Sequence, residues 1–544
     1  MFGLTYPYEG QETYSRVNFG LGSAYIQDRI TVTDKFNFTL GLRAEKPFYL
    51  NDLTANPSID ALELLDINGN KRTYSSGMWP KSKIQLSPRF GFNFDALGDR
   101  SLIFRGGTGI FSGRVPFVWL TNMPTNAGVL QNTIEPNGYN AVSGWIKNIR
   151  FHPEDIYYYV KNVPAGGENV FINSPKAGVP GTIALVDDNF KMPSVWRSSF
   201  GVDFKIPESP ITLTSDILYT KDVNAVFQFA ANRKASGQRM TYADREFYPN
   251  LASYQYNNKI GANNVTVLTN TDQKGYAFSA TFGANLRPWN GLSGSLFYTY
   301  SDAKDITSNP GSSANSSWSG LPSIDNPNEQ ILGISDFAIP HRVVGTLSYN
   351  FRNTTIGIYY NGAHQGRFSY IYANDVNGDG ITSDLLYIPT NTSDINFTDI
   401  KDSKGAVLFT VQQQRDAFDK FVTANGLEEY RGKIVPRNAF LMPWKNRFDV
   451  RLTQDLFKDM FDKGHKLSLT LDVVNFGNLL NSEWGIQDQI LSNGRSVLTR
   501  TGSVSANPTF QMLRDGNNLV TAPYRPVSSR STTWSATFGM KYSF

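Results

Sequence analysis

The last thirteen residues, TTWSATFGMKYSF (532–544), decide what kind of fold the chain adopts. One set of alternate positions in this stretch is apolar: Phe544, Tyr542, Met540, Phe538, Ala536 and Trp534. The positions between them hold serine, lysine, glycine and threonine. Because successive side chains of a strand point to opposite faces, the pattern predicts a β-strand with one dry face and one wet face.

The same alternation recurs along the chain, for example in KIQLSPRFGFNFD (83–95) and HKLSLTLDVVNF (465–476). It predicts thirteen strands, near residues 20–31, 36–45, 83–95, 101–111, 194–205, 211–220, 274–286, 291–301, 341–351, 355–363, 446–457, 465–478 and 532–544. A soluble β-sandwich also alternates and is the alternative class. Most of these segments, however, exceed the five or six residues usual in globular proteins and have the length that a tilted strand needs to cross a bilayer.

Two further features favour a membrane barrel. Aromatic residues lie near the ends of the apolar rows, as an interfacial girdle requires: Tyr219, Tyr298, Tyr300, Tyr360 and Tyr542. Short links alternate strictly with long ones, and the long ones span about 46–82, 112–193, 221–273, 302–340, 364–445 and 479–531. In outer-membrane barrels the short turns face the periplasm and the long loops face outward. The sequence therefore predicts an all-β fold: a transmembrane antiparallel β-barrel in the lipid bilayer of the bacterial outer membrane.

Composition agrees with this class. Apolar residues make up 40% of the 544 residues and charged residues 18%, and the net charge of +4 does not indicate nucleic acid as a partner. No stretch has the eighteen or so consecutive apolar residues of a membrane helix. The absence of cysteine excludes disulfides and thiolate metal sites.

The odd strand count predicts that the barrel is incomplete. If the 479–531 loop is extracellular, the first strand runs inward and residues 1–19 form an extracellular segment, leaving 20–544 as barrel. Single-chain bacterial barrels have even strand numbers, and an open sheet leaves unpaired backbone groups in lipid. We therefore expect either one more strand within the chain or further strands upstream. The start, MFGLTYPYEGQ, also lacks the features of a signal peptide.

Several segments resemble TonB-dependent outer-membrane transporters. They are SPRFGFNFDALGDRSLIFRGGTGIFSGR (87–114), DVNGDGITSDLLYIP (375–389), RGKIVPRNAFLMPWKNRFDVRLTQDL (431–456) and LTLDVVNFGNLLNSEWG (469–485), together with the terminal Phe544. The subgroup they resemble most is the Bacteroidetes Oar-like receptors, which are relatives of SusC-like transporters.

The resemblance implies a 22-stranded barrel, of which these would be the last thirteen strands, closed by an N-terminal plug domain that this chain lacks. It further implies nutrient import coupled to TonB and a SusD-like surface lipoprotein as a partner. Phe544 and Tyr542 would be the insertion signal. Two alternatives remain open at this stage: a barrel that docks surface proteins without transport, and a passive channel.

The segment 375–384 resembles the front of a calcium-binding loop. Oxygen-bearing side chains at alternate positions can converge on a hard cation where a glycine permits the sharp turn. The candidate ligands of Ca²⁺ are Asp375, Asn377, Asp379, the Ile381 carbonyl and Asp384. The alternative is a tight turn that is stabilised by its own side-chain hydrogen bonds.

The loops carry aromatic residues that we consider as ligand platforms: Trp119, Tyr157, Tyr158, Tyr254, Tyr256, Tyr370 and Tyr372. The alternative is that they form small cores within the loops. In the same loops, Val411, Phe418, Phe421 and Val422 lie at helical spacing, and Gly426 follows as a stop. The sequence thus predicts one short loop helix that packs on the barrel mouth.

The polar rows predict a charged inner wall with Arg89, Arg105, Arg342, Arg447, Asp449 and Arg451, which we expect to pair with one another or with plug residues. No HExxH, GxSxG or P-loop motif occurs, and the four histidines are scattered. The sequence therefore favours a protein that is not an enzyme.

Overall fold

The computed structural model describes residues 3–12, 14–134, 149–150, 152–175, 179–260, 263–460 and 464–544, and for residues 458–460 it describes the backbone only. Among these residues, none of the helices has the length and apolar character needed to span a membrane. The predicted short link 458–464 lies partly outside the described residues.

Thirteen long antiparallel strands form one continuous curved wall in chain order. They are β1 (Phe19–Thr33), β2 (Phe36–Tyr49), β3 (Gln85–Asp95), β4 (Leu102–Ser112), β5 (Ser194–Lys205), β6 (Ile211–Ala230), β7 (Tyr276–Trp289), β8 (Leu292–Asp305), β9 (His341–Phe351), β10 (Thr354–His364), β11 (Trp444–Met460), β12 (His465–Val474) and β13 (Ser535–Ser543). Each of the thirteen predicted strands is present, so the predicted fold class is confirmed.

The wall is open. Among the described strands, β1 pairs along its length only with β2, and β13 only with β12. Three shorter strands extend the sheet above the wall, namely Ile183–Val186, Val265–Thr271 and Gly333–Ile334. The sheet thus holds sixteen strands and leaves two wall edges free.

The apolar rows face outward and are exposed. Phe538, Met540 and Tyr542 of β13 are 70, 72 and 53% exposed, as expected for side chains that contact lipid instead of a protein core. Near the extracellular end of the wall, two aromatic residues on neighbouring strands share one hydrogen-bond acceptor. Tyr360 Oη and Trp444 Nε1 both donate to Asn446 Oδ1, at 2.7 and 2.9 Å. Such rings, apolar in body and polar at the tip, suit a membrane interface.

The turns between paired strands are tight where the sequence has turn residues. Asn290 and Gly291 both have positive φ, which gives the two-residue turn between β7 and β8. A Cβ on Gly291 would lie 2.2 Å from the Asn350 carbonyl oxygen, so only glycine fits beside β9.

The long links and the segment before β1 carry short elements of their own. Their strands, besides the three named above, are Leu4–Pro7, Leu64–Leu65, Lys71–Arg72, Gln131–Ile134, Arg367–Phe368, Tyr387–Ile388, Ile400–Lys401, Val407–Phe409, Lys433–Ile434, Phe440–Leu441, Gln487–Ile490, Leu498–Thr501, Thr509–Met512, Arg514–Asp515, Asn518–Leu519 and Tyr524–Val527. Their helices are α1 (Pro57–Asp60), α2 (Phe117–Thr125), α3 (Tyr158–Lys161), α4 (Leu251–Tyr254), α5 (Ala314–Ser319), α6 (Val411–Ala424), α7 (Phe476–Leu480) and α8 (Ser492–Arg495). Three 3₁₀ turns are also present: Asn258–Ile260, Thr392–Asp394 and Glu428–Tyr430.

The long links pack together into a structure that we call the loop body, made of the described residues of the six long loops. Among the described residues it has two large apolar cores. One surrounds Tyr370, Phe418 and Phe510, and the other surrounds Trp119 and Phe227. All five side chains are at most 6% exposed, so the loop body is organised like a water-soluble domain.

The predicted loop helix is confirmed as α6. Thr410 caps it, because its Oγ1 accepts from the Gln413 N–H while the Gln413 side chain accepts from the Thr410 N–H. The predicted stop, Gly426, has a φ of +71°. The apolar stripe of α6 is buried in the loop body. The other helices of the loops are shorter, and the sequence did not predict them.

Candidate functional site: the inner wall and the loop body

The inner wall carries an ion-pair cluster across β4, β5 and β6. Arg105 donates from Nε to Asp203 Oδ2 at 3.0 Å, and from Nη1 and Nη2 to the two carboxylate oxygens of Asp216 at 2.6 and 2.9 Å. Gly201 lies in register with both Arg105 and Asp216. A Cβ there would lie 2.6 Å from Asp216 Oδ1, so the missing side chain lets Arg105 reach across a whole strand.

The other inner arginines are also satisfied locally. Arg447 donates to Asp449, and Arg451 donates to Asp472. Two more use neutral partners: Arg342 Nε donates to Asn361 Oδ1 at 3.2 Å, and the Arg89 guanidinium lies 4.6 Å from the centre of the Phe111 ring. The inner wall is therefore polar and charged, and each of these arginines has a partner on the wall itself.

The predicted loop aromatics fall into two groups. Trp119, Tyr370 and Tyr372 are buried in the cores of the loop body, at 6, 1 and 1% exposure. The side chains of the other four are partly exposed: Tyr157, Tyr158, Tyr254 and Tyr256. Of these, Tyr157 packs on Tyr6 at 5.7 Å between ring centroids, and Tyr256 Oη donates to Glu63 Oε1 at 2.7 Å.

The predicted calcium loop forms a compact turn. Asp375 accepts backbone N–H groups from Gly378 and Gly380 at 2.6 and 2.9 Å, and Asp379 Oδ1 accepts from Ile381 at 2.7 Å. The Asn377 side chain bridges to the Asp379 N–H and the Asp325 carbonyl. Within the part of the chain that the structure describes, no three His, Asp or Glu side chains are arranged to hold a metal ion. Calcium binding here stays a prediction.

Asp384, the last predicted ligand, instead makes a buried ion pair. Arg245 Nη1 donates to Asp384 Oδ1 at 2.7 Å, with the two side chains 0 and 2% exposed, and the Val376 N–H donates to Asp384 Oδ2. Burial raises the pKa of Asp384 to about 6. The pair ties the 221–273 loop to the 364–445 loop. Breaking such a pair leaves one uncompensated buried charge, so it fixes the relative position of the two loops.

A cavity of about 330 Å³ lies inside the loop body. Its lining includes Phe229, Arg233, Tyr254, Asn328, Glu329 and Asp379. The Arg233 guanidinium is stacked between Tyr254 and Trp318, at 4.5 and 4.9 Å from the ring centres. Burial, reinforced by the charge of Asp325, raises the pKa of Glu329 to about 7. Of the residues singled out in the sequence, the cavity brings together only Tyr254 and Asp379.

The predicted insertion signal lies at the free edge of the wall. Tyr542 Oη lies 2.7 Å from His465 Nδ1 and its ring stacks on that histidine, whereas Phe544 is 92% exposed. Arg233, Arg245 and Glu329 were not expected from the sequence. Their partners come from other loops, and no local motif indicates them.

A family model described as an outer membrane beta barrel domain matches residues 2–495 of the chain. The chain belongs to this family. As an outer-membrane β-barrel, the protein resides in the bacterial outer membrane, and the exposed apolar rows of its wall face lipid. No curated protein matches the chain.

Solved structures of outer-membrane transporters match the chain at low identity. The outer membrane transporter YddB from Escherichia coli is 9% identical, over 96% of this chain and 55% of that one, with a TM-score of 0.40. The FrpB iron transporter (F3-3 variant) from Neisseria meningitidis is 12% identical, over 97% and 46%, with a TM-score of 0.38. The siderophore receptor PiuA from Acinetobacter baumannii is 9% identical, over 96% and 43%, with a TM-score of 0.37. The chain spans about half the length of these proteins.

Proposed function

We propose that this chain is the C-terminal barrel portion of a TonB-dependent transporter, which imports a nutrient through a plugged polar lumen. The observation that carries the proposal is the wall itself, with a charged inner face and two unpaired edges. Thirteen strands already form a broad open arc, so closing it requires more strands. Very wide barrels of this kind enclose a lumen that a plug must fill.

The missing part is expected to come from the same protein. The resemblance of the quoted segments to Oar-like and SusC-like receptors supports nine further strands, which would complete a 22-stranded barrel, and a plug domain that binds TonB. The ion pairs of the inner wall fit this arrangement. Because Arg105 is paired with Asp203 and Asp216, the wall can face a plug without leaving the guanidinium unpaired in the contact.

The loop body supports capture of the nutrient at the outer surface. Its two apolar cores and its buried Arg245–Asp384 pair make it rigid enough to hold the cavity beside Arg233 in one shape. A rigid loop surface equally suits the docking of another protein, such as a SusD-like lid. The same observation therefore favours a second function, in which the barrel is a docking scaffold without transport.

Two measurements on the full-length protein separate these functions. In liposome swelling with a small sugar, a plugged barrel does not leak, whereas a passive channel does. In a binding assay with the purified periplasmic domain of TonB, a transporter binds and a scaffold does not. We expect sealed liposomes and TonB binding. Swelling would reject the plugged transporter, and sealed liposomes without TonB binding would leave the scaffold as the function.

A further inference from the structure

Residues 475–485 follow β12 at the extracellular rim and form a turn that is closed by side-chain hydrogen bonds. We call these residues the rim turn. Asn475, with a φ of +54°, ends the strand, and α7 follows directly. Two buried asparagine side chains close the turn. Asn475 Nδ2 donates to the carbonyls of Gly485 and Thr532, and Asn478 Nδ2 donates to those of Ser482 and Trp484, all at 2.9 to 3.2 Å. The rim turn is therefore a fixed element.

The rim turn lies against the outer, lipid-facing side of the wall. A Cβ on Gly477 would lie 3.8 Å from the Trp484 Cβ and 4.0 Å from Phe448 Cδ2. Phe448 belongs to the outward row of β11, and its ring lies 4.7 Å from the Tyr360 ring on β10. The rim turn thus continues the surface that already contacts lipid.

Three large apolar side chains of the rim turn are exposed, beside the polar segment Asn481–Glu483. Leu479, Leu480 and Trp484 are 42, 65 and 56% exposed. Glu483 is the only charged residue between 475 and 485. A tryptophan with two leucines would be unfavourable in water but is suited to the interface of a bilayer. The aromatic tips that bond to Asn446 lie just above Phe448, so the rim turn lies near that level of the wall.

We infer that the rim turn inserts into the outer leaflet, with Leu480 among the acyl chains and Trp484 at the interface. It would extend the lipid contact of the barrel beyond the strands and fix the depth of the extracellular rim. Lipid is the occupant because the turn is continuous with the lipid-facing rows of β10 and β11. This inference does not depend on whether the barrel transports a nutrient.

The absence of cysteine gives a direct test. Leu480→Cys, Ser482→Cys and Leu347→Cys are each labelled with a nitroxide in the full-length protein, which is then reconstituted in phosphatidylcholine vesicles. Collision rates with oxygen, which partitions into lipid, and with a water-soluble nickel chelate are measured by EPR. Leu347 lies in the outward row of β9 and is the lipid reference, and Ser482 is the matched reference within the turn. Retention of heat-modifiable gel mobility shows that each variant is folded.

We expect the oxygen-to-nickel ratio at 480 to be at least twofold that at 482 and close to that at 347. A ratio at 480 equal to that at 482 would place the turn in water and overturn the inference. A label at 480 that is shielded from both reagents would also overturn it, because the turn would then be covered by protein.

Discussion

The wall and the loop body use the same residue types in opposite ways. On the wall, large apolar side chains such as Phe538 are exposed and the charged ones such as Arg105 point inward. In the loop body, Phe418 and Phe510 are completely buried. The difference shows that burial follows the solvent that each region meets: lipid outside the wall and water around the loops. Substitutions should therefore have different consequences in the two regions.

The largest effect is expected in the loop body. Phe418→Ala removes a fully buried ring from the core around α6 and should cost the loop body about 3–5 kcal/mol. Hydrogen exchange of amides in α6 should accelerate while that of wall amides is unchanged. Lys420→Ala, on the exposed side of the same helix, is the control and should have little effect. Equal loss of protection in wall and loops would show that the two regions do not fold separately.

A charge on the lipid face of the wall should be the next largest effect. Leu347→Arg, near the middle of β9, should destabilise the folded barrel in vesicles by about 2–4 kcal/mol. Ser348→Arg, one residue along and on the inner face, is the matched control. Denaturant titration of folding in vesicles measures both. If the two variants were equally destabilised, the assignment of faces would be wrong.

The structure of the wall could be predicted from the sequence, whereas most of the structure of the loop body could not. The strands were predictable because alternation is local and each strand pairs with its sequence neighbours. The upper half of β6 was missed: residues 221–224 still pair with the wall, but residues 225–230 pair with the strand Val265–Thr271 and belong to the loop body. The Arg245–Asp384 pair joins residues 139 positions apart and has no local signature. Loop contacts depend on the packing of several loops at once, which no repeating pattern encodes.

The pH dependence of the loop body tests its buried carboxyl groups. Because the folded-state pKa of Glu329 is raised from 4.5 to about 7, the folded loop body holds more protons than the unfolded one between these values. Its stability should therefore fall as pH rises from about 5 to 7 and stay low above that. Glu329→Gln should remove the contribution of Glu329 to this dependence, leave that of Asp384, and stabilise the loop body by about 1–2 kcal/mol at pH 8.

The stability of the loop body at each pH is measured by hydrogen exchange of the Asp325 and Asn326 amides. Each exchange rate is first corrected for the intrinsic effect of pH on amide exchange. The exposed Glu429→Gln is the control and should leave the pH dependence as it is. An unchanged slope in Glu329→Gln would mean that another group titrates.

Calcium should have the smallest effect, since both Asp375 oxygens already accept backbone N–H groups. At a free concentration about five times its Kd, the ion should stabilise the loop by about 1 kcal/mol. Isothermal titration with calcium chloride measures binding, with Asp379→Asn as the disabled variant. Asp402→Asn, in a similar but exposed turn, is the control. No heat of binding to the unmodified protein would leave the turn as a hydrogen-bonded structure only.

The claim that the wall has one lipid face and one wet face is tested most directly along β12. Single cysteines are placed at each position from 467 to 473, labelled with bimane, and the protein is reconstituted in vesicles that contain brominated phospholipid. We predict strong quenching at 467, 469, 471 and 473 and weak quenching at 468, 470 and 472. Uniform quenching, or strong quenching at the even positions, would contradict the account.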